Sequence, residues 1–154
     1  MPVVTLEELD TFAAGVRASG RTIALANGVF DLLHVGHVRY LQASAAEADC
    51  LIVAVNADAS VRRLKGEGRP IVDERGRAEM VAALRGVDRV VVFDEDTVGP
   101  LLQRLRPDVH CKGTDYTVET VPERAIVIGY GGRTAICGDP KDHSTRDLLR
   151  RIVR

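Results

Sequence analysis

Two histidines lie three residues apart in the segment NGVFDLLHVGHVRYL, which covers residues 27–41. His34 and His37 flank Gly36, and the group follows a short apolar run. Imidazole N–H groups can donate to an oxyanion, and a glycine between them lets that anion approach the backbone. If the apolar run is a strand and the histidines open a helix, the backbone N–H groups of that helix also suit a phosphate. The spacing therefore indicates a phosphate site.

Two other uses of this histidine pair remain open. Imidazole is a common zinc ligand, but the sequence offers no obvious third ligand beside the pair, and we predict no metal ion held by protein side chains. The structural alternative is one histidine satisfied within a helix and a second that is incidental. A His-x-Gly-His match alone does not separate this alternative from phosphate binding.

The composition limits the classes of partner. The chain has 154 residues, of which 45% are hydrophobic, so it can bury one sizeable core, and we expect residues 1–154 to form a single domain. Lys and Arg total 21 against 22 Asp and Glu, which argues against a nucleic-acid partner. No apolar run approaches the roughly 20 residues that span a bilayer, and residues 1–20 lack a signal-peptide pattern. We therefore expect a cytoplasmic protein without a membrane partner.

The three cysteines, Cys50, Cys111 and Cys137, are far apart and form no Cys-x-x-Cys pair. This spacing suggests neither a disulfide framework nor a zinc knuckle. We predict buried free thiols.

The hydrophobic pattern predicts alternating strands and helices. Residues 22–27 and 51–56 are short apolar runs typical of strands buried on both faces, and residues 35–48 between them have helical spacing. We predict further helices over residues 5–20, 74–84, 98–105 and 144–153, and further strands over residues 89–93, 108–111 and 133–136. Residues 121–130 have strand-like β-branched content but helix-like ends, and we predict a helix there. The alternation indicates a three-layer α/β fold with a parallel central sheet, helices on both faces and strands 22–27 and 51–56 as interior neighbours.

Beyond the histidines, the whole segment resembles the signature of the cytidylyltransferase-like nucleotidyltransferases. The matching residues are Gly28, Phe30, Asp31, His34, Gly36 and His37. Residues 51–72, 87–96, 106–117 and 144–152 are similar, in order and spacing, to adenylyltransferases that activate heptose 1-phosphate. The resemblance implies a Rossmann-like fold, ATP with Mg²⁺ as a cofactor, and release of pyrophosphate. It also implies a homodimer.

The resemblance assigns roles to individual residues. Those implied to bind nucleotide are Gly28, Phe30, His34, Gly36, His37, Lys112, Gly113, Asp115, Ser144 and Thr145. Those implied to act in catalysis are His34, His37 and Lys65, and those implied to bind the sugar phosphate are Asp31, Lys65 and Arg77. Lys65 lies in the predicted loop RLKGEGRP, whose glycines suit a mobile flap, although a solvated surface lysine is the alternative.

Three assignments are open where the sequence departs from the family or has a simpler explanation. The family's Gln-Arg is Gly76-Arg77 here, and either Arg77 or the adjacent Arg75 could be a charge on a helix surface. The family's Ser-Thr-Thr is Ser144-Thr145-Arg146. Asp115 could be a turn former.

Three functions remain in competition. The leading hypothesis is an adenylyltransferase that transfers AMP from ATP to a sugar 1-phosphate, with heptose 1-phosphate as the substrate, standing without the sugar kinase domain of bifunctional relatives. The enzymatic alternative is a cytidylyltransferase acting on glycerol 3-phosphate or a related polyol phosphate. Its arginine before the terminal serine motif is missing here, where the chain has Lys141. The non-enzymatic alternative is a nucleotide-binding sensor.

Overall fold

A five-stranded parallel sheet forms the centre of the computed structural model, which describes residues 2–140 and 144–153. The strands are β1 (Ile23–Gly28), β2 (Cys50–Asn56), β3 (Arg89–Phe93), β4 (Val109–Lys112) and β5 (Arg133–Ile136). The helices are α1 (Leu6–Ala18), α2 (Val35–Ala45), α3 (Asp58–Lys65), α4 (Glu74–Ala82), α5 (Gly99–Leu105), α6 (Arg124–Gly129) and α7 (Thr145–Ile152), with a 3₁₀ turn at Val118–Thr120.

The strand order is β3-β2-β1-β4-β5, and every pair of neighbours is parallel. Strands β1 and β2 pair from Ile23 and Cys50 to Gly28 and Val55, so the predicted interior neighbours are confirmed. On its other side β1 pairs with β4, which the chain reaches only after it has built β2 and β3. Such a reversal of strand order leaves a crevice beyond the carboxyl ends of the two strands, where ligands bind in open α/β sheets.

Both faces of the sheet are covered, as the continuous apolar strands require. One face packs Leu25 and Ile52 against helices α1 and α5 through residues such as Leu9 and Leu102. The other face packs Val53 and its neighbours against α2 and α4 through Leu41 and Val81. Full burial of each such side chain contributes roughly 2 kcal/mol to folding. The three-layer α/β prediction is confirmed.

Most predicted elements are present with bounds shifted by a few residues. The ambiguous stretch at 121–130 contains α6, as predicted, and β5 has the predicted bounds. Helix α3 was not predicted, because half of its residues are charged and it buries only Ser60 and Val61, which is too little for a recognisable apolar stripe. The three thiols are buried and free, as predicted.

The described residues contain no helix that is both long enough and apolar enough to cross a membrane.

Candidate active site

A cavity of about 1170 Å³ opens at the carboxyl ends of the strands. Its volume is slightly above the usual range for a single small ligand, so it can hold a nucleotide together with a second substrate. Among the described residues, every predicted site residue except Arg77 lines this cavity. They are Gly28, Phe30, Asp31, His34, Gly36, His37, Lys65, Lys112, Gly113, Asp115, Ser144 and Thr145. The structure thus gathers side chains that are far apart in sequence, while their individual roles stay predictions.

The loop between β1 and α2 has an unusual backbone conformation. Phe30 and Leu32 both have left-handed backbones, with φ of 55° and 50°. A non-glycine residue adopts this conformation at a cost, so surrounding contacts must hold it. Phe30 is buried, stacks on Tyr40 with ring centroids 6.4 Å apart and meets the edge of His37 at 5.5 Å. A side chain at Gly28 would meet the Phe30 ring at 3.2 Å, which explains the glycine at that position.

The two histidines form a reciprocal cap at the start of α2. The backbone N–H of Gly36 donates to Nδ1 of His34 at 3.1 Å, and the backbone N–H of His34 donates to Nδ1 of His37 at 3.3 Å. Since each Nδ1 accepts a hydrogen bond, the proton of each neutral imidazole lies on Nε2. The rings are adjacent, with centroids 4.0 Å apart. The helix start therefore holds two adjacent imidazole rings in place, with Nε2 as the donor nitrogen of each.

This geometry changes one detail of the predicted phosphate site. The sequence suggested that the Gly36 backbone would receive the anion, whereas its N–H donates to His34 in the structure. The sequence also allowed one of the two histidines to have no structural role. In the structure both side chains cap the helix, and both line the cavity.

Asp31 fixes the segment that follows α3. Its carboxylate is 2% exposed and accepts hydrogen bonds from the backbone N–H groups of Ile71 at 2.9 Å and Val72 at 3.0 Å, and from Nε of Arg69 at 3.2 Å. Burial raises the pKa of Asp31, but these hydrogen bonds together outweigh burial and hold the pKa below its ordinary value. Asp31 is therefore ionised at neutral pH and links two walls of the cavity.

The structure does not bring Arg77 into the cavity lining. Its side chain is completely buried, which also excludes the surface charge considered from the sequence. Nε donates to the carbonyl of Val72 at 2.8 Å, Nη1 to the carbonyl of Val29 at 2.7 Å and Nη2 to Asp58 at 2.8 Å. Arg77 thus connects the β1–α2 loop, the segment before α4 and the start of α3 from behind the site. Sequence alone could not show these carbonyl partners.

Lys65 is the last residue of α3 and not part of a loop, which corrects the sequence-based prediction. The helix ends there because Gly66 has a φ of 90°, and Gly68 follows with a φ of 81°. Residues 64–68 are exposed, and Lys65 lines the cavity. An exposed helix end followed by two such glycines suits a segment that moves over a ligand.

The end of β4 brings a second lysine, Lys112, to the opposite side of β1. Nζ of Lys112 lies 5.0 Å from the ring centroid of Tyr116. Burial lowers the pKa of Lys112, and the carboxylates of Glu123 and Asp115 oppose that shift. A side chain at Gly113 would meet Oδ1 of Asp115 at 3.2 Å, so the glycine makes room for this carboxylate.

The start of α7 closes the cavity. Oγ of Ser144 caps the helix by accepting from the N–H of Asp147 at 3.1 Å. The hydroxyl of Thr145 donates to the backbone carbonyl of Asp31 at 2.6 Å. The second of these hydrogen bonds ties α7 to the β1–α2 loop. Lys141, which entered the comparison with cytidylyltransferases, lies outside the described residues.

Several cavity residues were missed by the sequence analysis. Asn27, Arg39, Arg69, Arg146 and Arg150 all line the cavity. Arg146 replaces a family threonine, and Arg150 follows it at i+4, so both fall on one helix face, a signal that was available in the sequence. Arg39 pairs with Asp139 at 3.0 Å, a contact no sequence pattern indicated.

Within residues 2–140 and 144–153, no group of three or more His, Cys, Asp or Glu residues is arranged to hold a metal ion. The two oxygens of Asp31 already accept three hydrogen bonds. This donor set fits a Mg²⁺ ion that enters bound to phosphate oxygens, since Mg²⁺ commonly uses few protein carboxylates and keeps several waters.

A cavity with imidazole, ammonium and guanidinium groups at the carboxyl edge of a parallel sheet is suited to phosphorylated ligands, as in the class of α/β proteins that bind nucleotides at this edge. The model of the cytidylyltransferase-like family matches residues 25–148, which contain this edge. The chain therefore belongs to the cytidylyltransferase-like family, and the resemblance seen in the sequence is confirmed.

Curated relatives match nearly the whole chain. Bifunctional protein HldE of Syntrophotalea carbinolica is 49% identical over 137 residues, which are 89% of this chain and 28% of that protein. Bifunctional protein HldE of Geobacter sulfurreducens is 45% identical over 152 residues, 99% of this chain and 31% of that protein. The chain thus spans about three tenths of the length of these relatives.

Solved structures share the fold. A lipopolysaccharide core biosynthesis protein from Thermoplasma volcanium has a TM-score of 0.68 and 29% identity, covering 79% of this chain and 100% of that chain. A pantoate-beta-alanine ligase from Francisella tularensis has a TM-score of 0.67 over 97% of this chain and 73% of that chain. At 14% identity, the second likeness concerns the fold alone. The Rossmann-like fold expected from the resemblance is confirmed.

Proposed function

We propose that this chain is an adenylyltransferase that transfers AMP from ATP to a sugar 1-phosphate, with heptose 1-phosphate as the substrate. The observation that carries the proposal is that one cavity gathers the motifs through which the sequence resembles heptose 1-phosphate adenylyltransferases. The identity of 45% to 49% with proteins named HldE supports the same conclusion. These relatives favour adenylyl transfer to a sugar phosphate over cytidylyl transfer to glycerol 3-phosphate.

The reaction forms one bond and breaks one. An oxygen of the sugar phosphate attacks the α-phosphorus of ATP, and the bond from that phosphorus to the bridging oxygen of pyrophosphate breaks. The bond electrons leave with pyrophosphate, while negative charge grows on the oxygens around the α-phosphorus. Catalysis then requires alignment of two anions and donors that follow the developing charge. The chain's own contribution is therefore positioning and electrostatic stabilisation.

The histidine pair suits this task. Its two rings lie side by side at the start of a helix, and their Nδ1 hydrogen bonds to the backbone orient the Nε2 donor of each. Donors that are already oriented stabilise charge without the cost of reorganisation. We assign His37 to the charge that develops in the transition state, and His34 to the triphosphate in both the ground and transition states.

The lysines approach from two sides. Lys65 lies on the exposed end of α3, from which it can bridge the phosphates of both substrates as the segment closes. Lys112 is the last residue of β4 and lies beside Tyr116, where it can balance the charge of the nucleotide. Mg²⁺ carried by the triphosphate would neutralise part of its charge.

The assay that tests the function measures pyrophosphate release with ATP or CTP and a panel of phosphates: heptose 1-phosphate, hexose 1-phosphates and glycerol 3-phosphate. We expect ATP with heptose 1-phosphate to give the highest kcat/KM, with formation of an ADP-sugar. Faster release with CTP and glycerol 3-phosphate would replace this function by the cytidylyltransferase. Tight nucleotide binding without release from any pair would favour a sensor. Analytical ultracentrifugation of the same sample tests the homodimer that the resemblance implies.

A further inference from the structure

A buried histidine outside the signature segment contacts the cavity edge. His110 lies in the middle of β4, paired with Leu25 of β1 on one side and Thr134 of β5 on the other, and it is completely buried. Its Nε2 lies 2.8 Å from Oδ1 of Asn27. Asn27 is the next-to-last residue of β1 and lines the cavity. A polar contact thus runs from the core of the sheet to the site.

The proton of this imidazole can be placed by considering the other ring nitrogen. Among the described residues, Nδ1 of His110 is buried without a hydrogen-bond partner. A buried N–H without an acceptor is rarer and costlier than a buried lone pair without a donor. The proton therefore lies on Nε2, which donates to Oδ1 of Asn27. Burial, with a smaller effect of Lys112, lowers the pKa of His110 to about 3, so the ring stays neutral at physiological pH.

Fixing one end of an amide fixes the other. The side chain of Asn27 is planar, and its oxygen accepts from His110, so its NH₂ group must point away from that contact. Without His110, the two ends of the amide could exchange places with little energetic difference. The contact with His110 therefore determines that Asn27 offers donors, and not an acceptor, toward the cavity that it lines.

We propose that Asn27 binds an oxygen of the nucleotide, on its phosphates or its ribose, through its amide N–H groups, and that His110 is the positioning residue that fixes this orientation. The proposal rests on the proposed function insofar as the ligand is ATP. The roles of the two residues differ: Asn27 touches the ligand, and His110 acts only through Asn27.

The test is a double-mutant cycle on nucleotide affinity. Isothermal titration calorimetry measures the Kd of α,β-methylene-ATP for the wild type, Asn27→Ala, His110→Leu and the double variant, and thermal unfolding is followed on the same samples. We expect Asn27→Ala to weaken binding about 10-fold or more, as the loss of a hydrogen bond to a charged acceptor does. His110→Leu should weaken it by only about twofold, because roughly half of the Asn27 side chains would still present donors to the ligand, and it should add almost nothing in the Asn27→Ala background.

Two variants separate positioning from packing. His110→Gln places an amide N–H near the position of Nε2 and should restore most of the affinity lost in His110→Leu. Thr134→Val is the matched control, because Thr134 pairs with His110 in the sheet and lies outside the cavity lining. It alters the same core layer and should leave the Kd unchanged.

Three results would overturn the proposal: unchanged affinity in folded Asn27→Ala, losses that simply add in the double variant, or no binding of the analogue to the wild type. Inorganic pyrophosphate as a second ligand distinguishes the acceptor, since a parallel loss of pyrophosphate affinity indicates a phosphate oxygen and an unchanged one indicates the ribose or the α-phosphate. A wild type that binds the analogue but transfers no adenylyl group would contradict the proposed function. The double-mutant cycle would still test the roles of Asn27 and His110, because it measures only the affinity for the analogue.

Discussion

The β1–α2 loop and the end of α3 both reach the cavity, but the loop is buried and the end of α3 is exposed. In the loop, Phe30 and Asp31 are 3% and 2% exposed, and two left-handed residues are kept in position by packing and hydrogen bonds. At the end of α3, Leu64 is 53% exposed, and a side chain added at Gly66 or Gly68 would meet nothing within 4 Å.

This difference matches what each region contributes. A donor that must follow charge in the transition state gains from a rigid support, because even small displacements weaken its effect. A lysine that gathers phosphates gains from a support that opens for ligand entry and closes afterwards. We therefore expect substitutions in the loop to change turnover or stability, and substitutions at the end of α3 to change mainly the substrate dependence.

The largest effect is expected for His37→Asn. The Oδ1 of asparagine can replace Nδ1 of His37 as the acceptor for the His34 N–H, so the helix cap is kept and the Nε2 donor is lost. Turnover should fall by about 10² to 10³, the usual loss for one transition-state donor, while nucleotide affinity falls much less. Steady-state kinetics, calorimetry and thermal unfolding on the same samples check this. Near-normal turnover in the folded variant would end the catalytic role of His37.

The next largest effect is expected for Arg77→Met, as a loss of stability. The substitution removes a fully buried guanidinium and leaves Asp58, which is partly exposed, and the carbonyls of Val29 and Val72 without their partner, at a combined cost of about 3 kcal/mol. The melting temperature should then fall by roughly 6 to 12 °C. Urea unfolding measures the loss directly.

The matched control for Arg77 is Arg75→Met, on the exposed side of the same helix, which should leave stability unchanged. Nucleotide and sugar phosphate affinities of the folded Arg77 variant should stay within about twofold of the wild type, because the structure places Arg77 behind the cavity lining. A tenfold rise in the KM for sugar phosphate at unchanged stability would instead restore the substrate-binding role predicted from the sequence.

A smaller effect is expected for Lys65→Ala. Removing a phosphate contact made in both ground and transition states should raise the KM about tenfold and slow turnover moderately. Stability should not change, since the side chain is exposed. Arg62→Ala is the control, because Arg62 is an exposed cation in the same helical turn and lies outside the cavity lining. Equal kinetic losses in both variants would indicate a general field of positive charge and no specific contact.

The smallest effect is the pH dependence contributed by Asp31. Because its folded pKa lies below the unfolded value near 3.9, its ionised form stabilises the fold at neutral pH, and this contribution is lost as pH falls through the folded pKa. The stability difference between wild type and Asp31→Asn should be constant above about pH 5 and shrink as the pH falls below about 4. Urea unfolding between pH 7 and pH 3 measures it. A difference that does not vary with pH would show that the charge of Asp31 contributes nothing.

The sequence predicts the scaffold well, because burial on both faces leaves a simple pattern. Strands β1 and β2 are continuous apolar runs joined by one helix, so their adjacency and direction follow from chirality and packing. Even α6 could be chosen over a strand from its flanking proline and glycines. Helix α3 could not, since it presents almost no apolar stripe and depends on its neighbours for stability.

The site is predictable to a different degree. The motif identifies which residues reach the cavity, but it does not show which partners they have. From the sequence, Arg77 is simply a charged residue in a helix, and only the structure shows that it donates to the carbonyls of Val29 and Val72. In the same way, His110 is simply a strand residue until the structure shows its contact with Asn27. Such contacts join distant parts of the chain and leave no local pattern.

The position of β1 between β2 and β4 also bears on the order of folding. Ala24 pairs with Leu51 on one side and with Val109 on the other, so the second pairing closes a far longer loop than the first. Closing a longer loop costs more entropy, so β1, β2 and β3 should associate before β4 and β5 dock onto them. The histidine pair and Lys112 would then face each other only in the final docking step. Pulse-labelling hydrogen exchange should show later protection of amides in β4 than in β2.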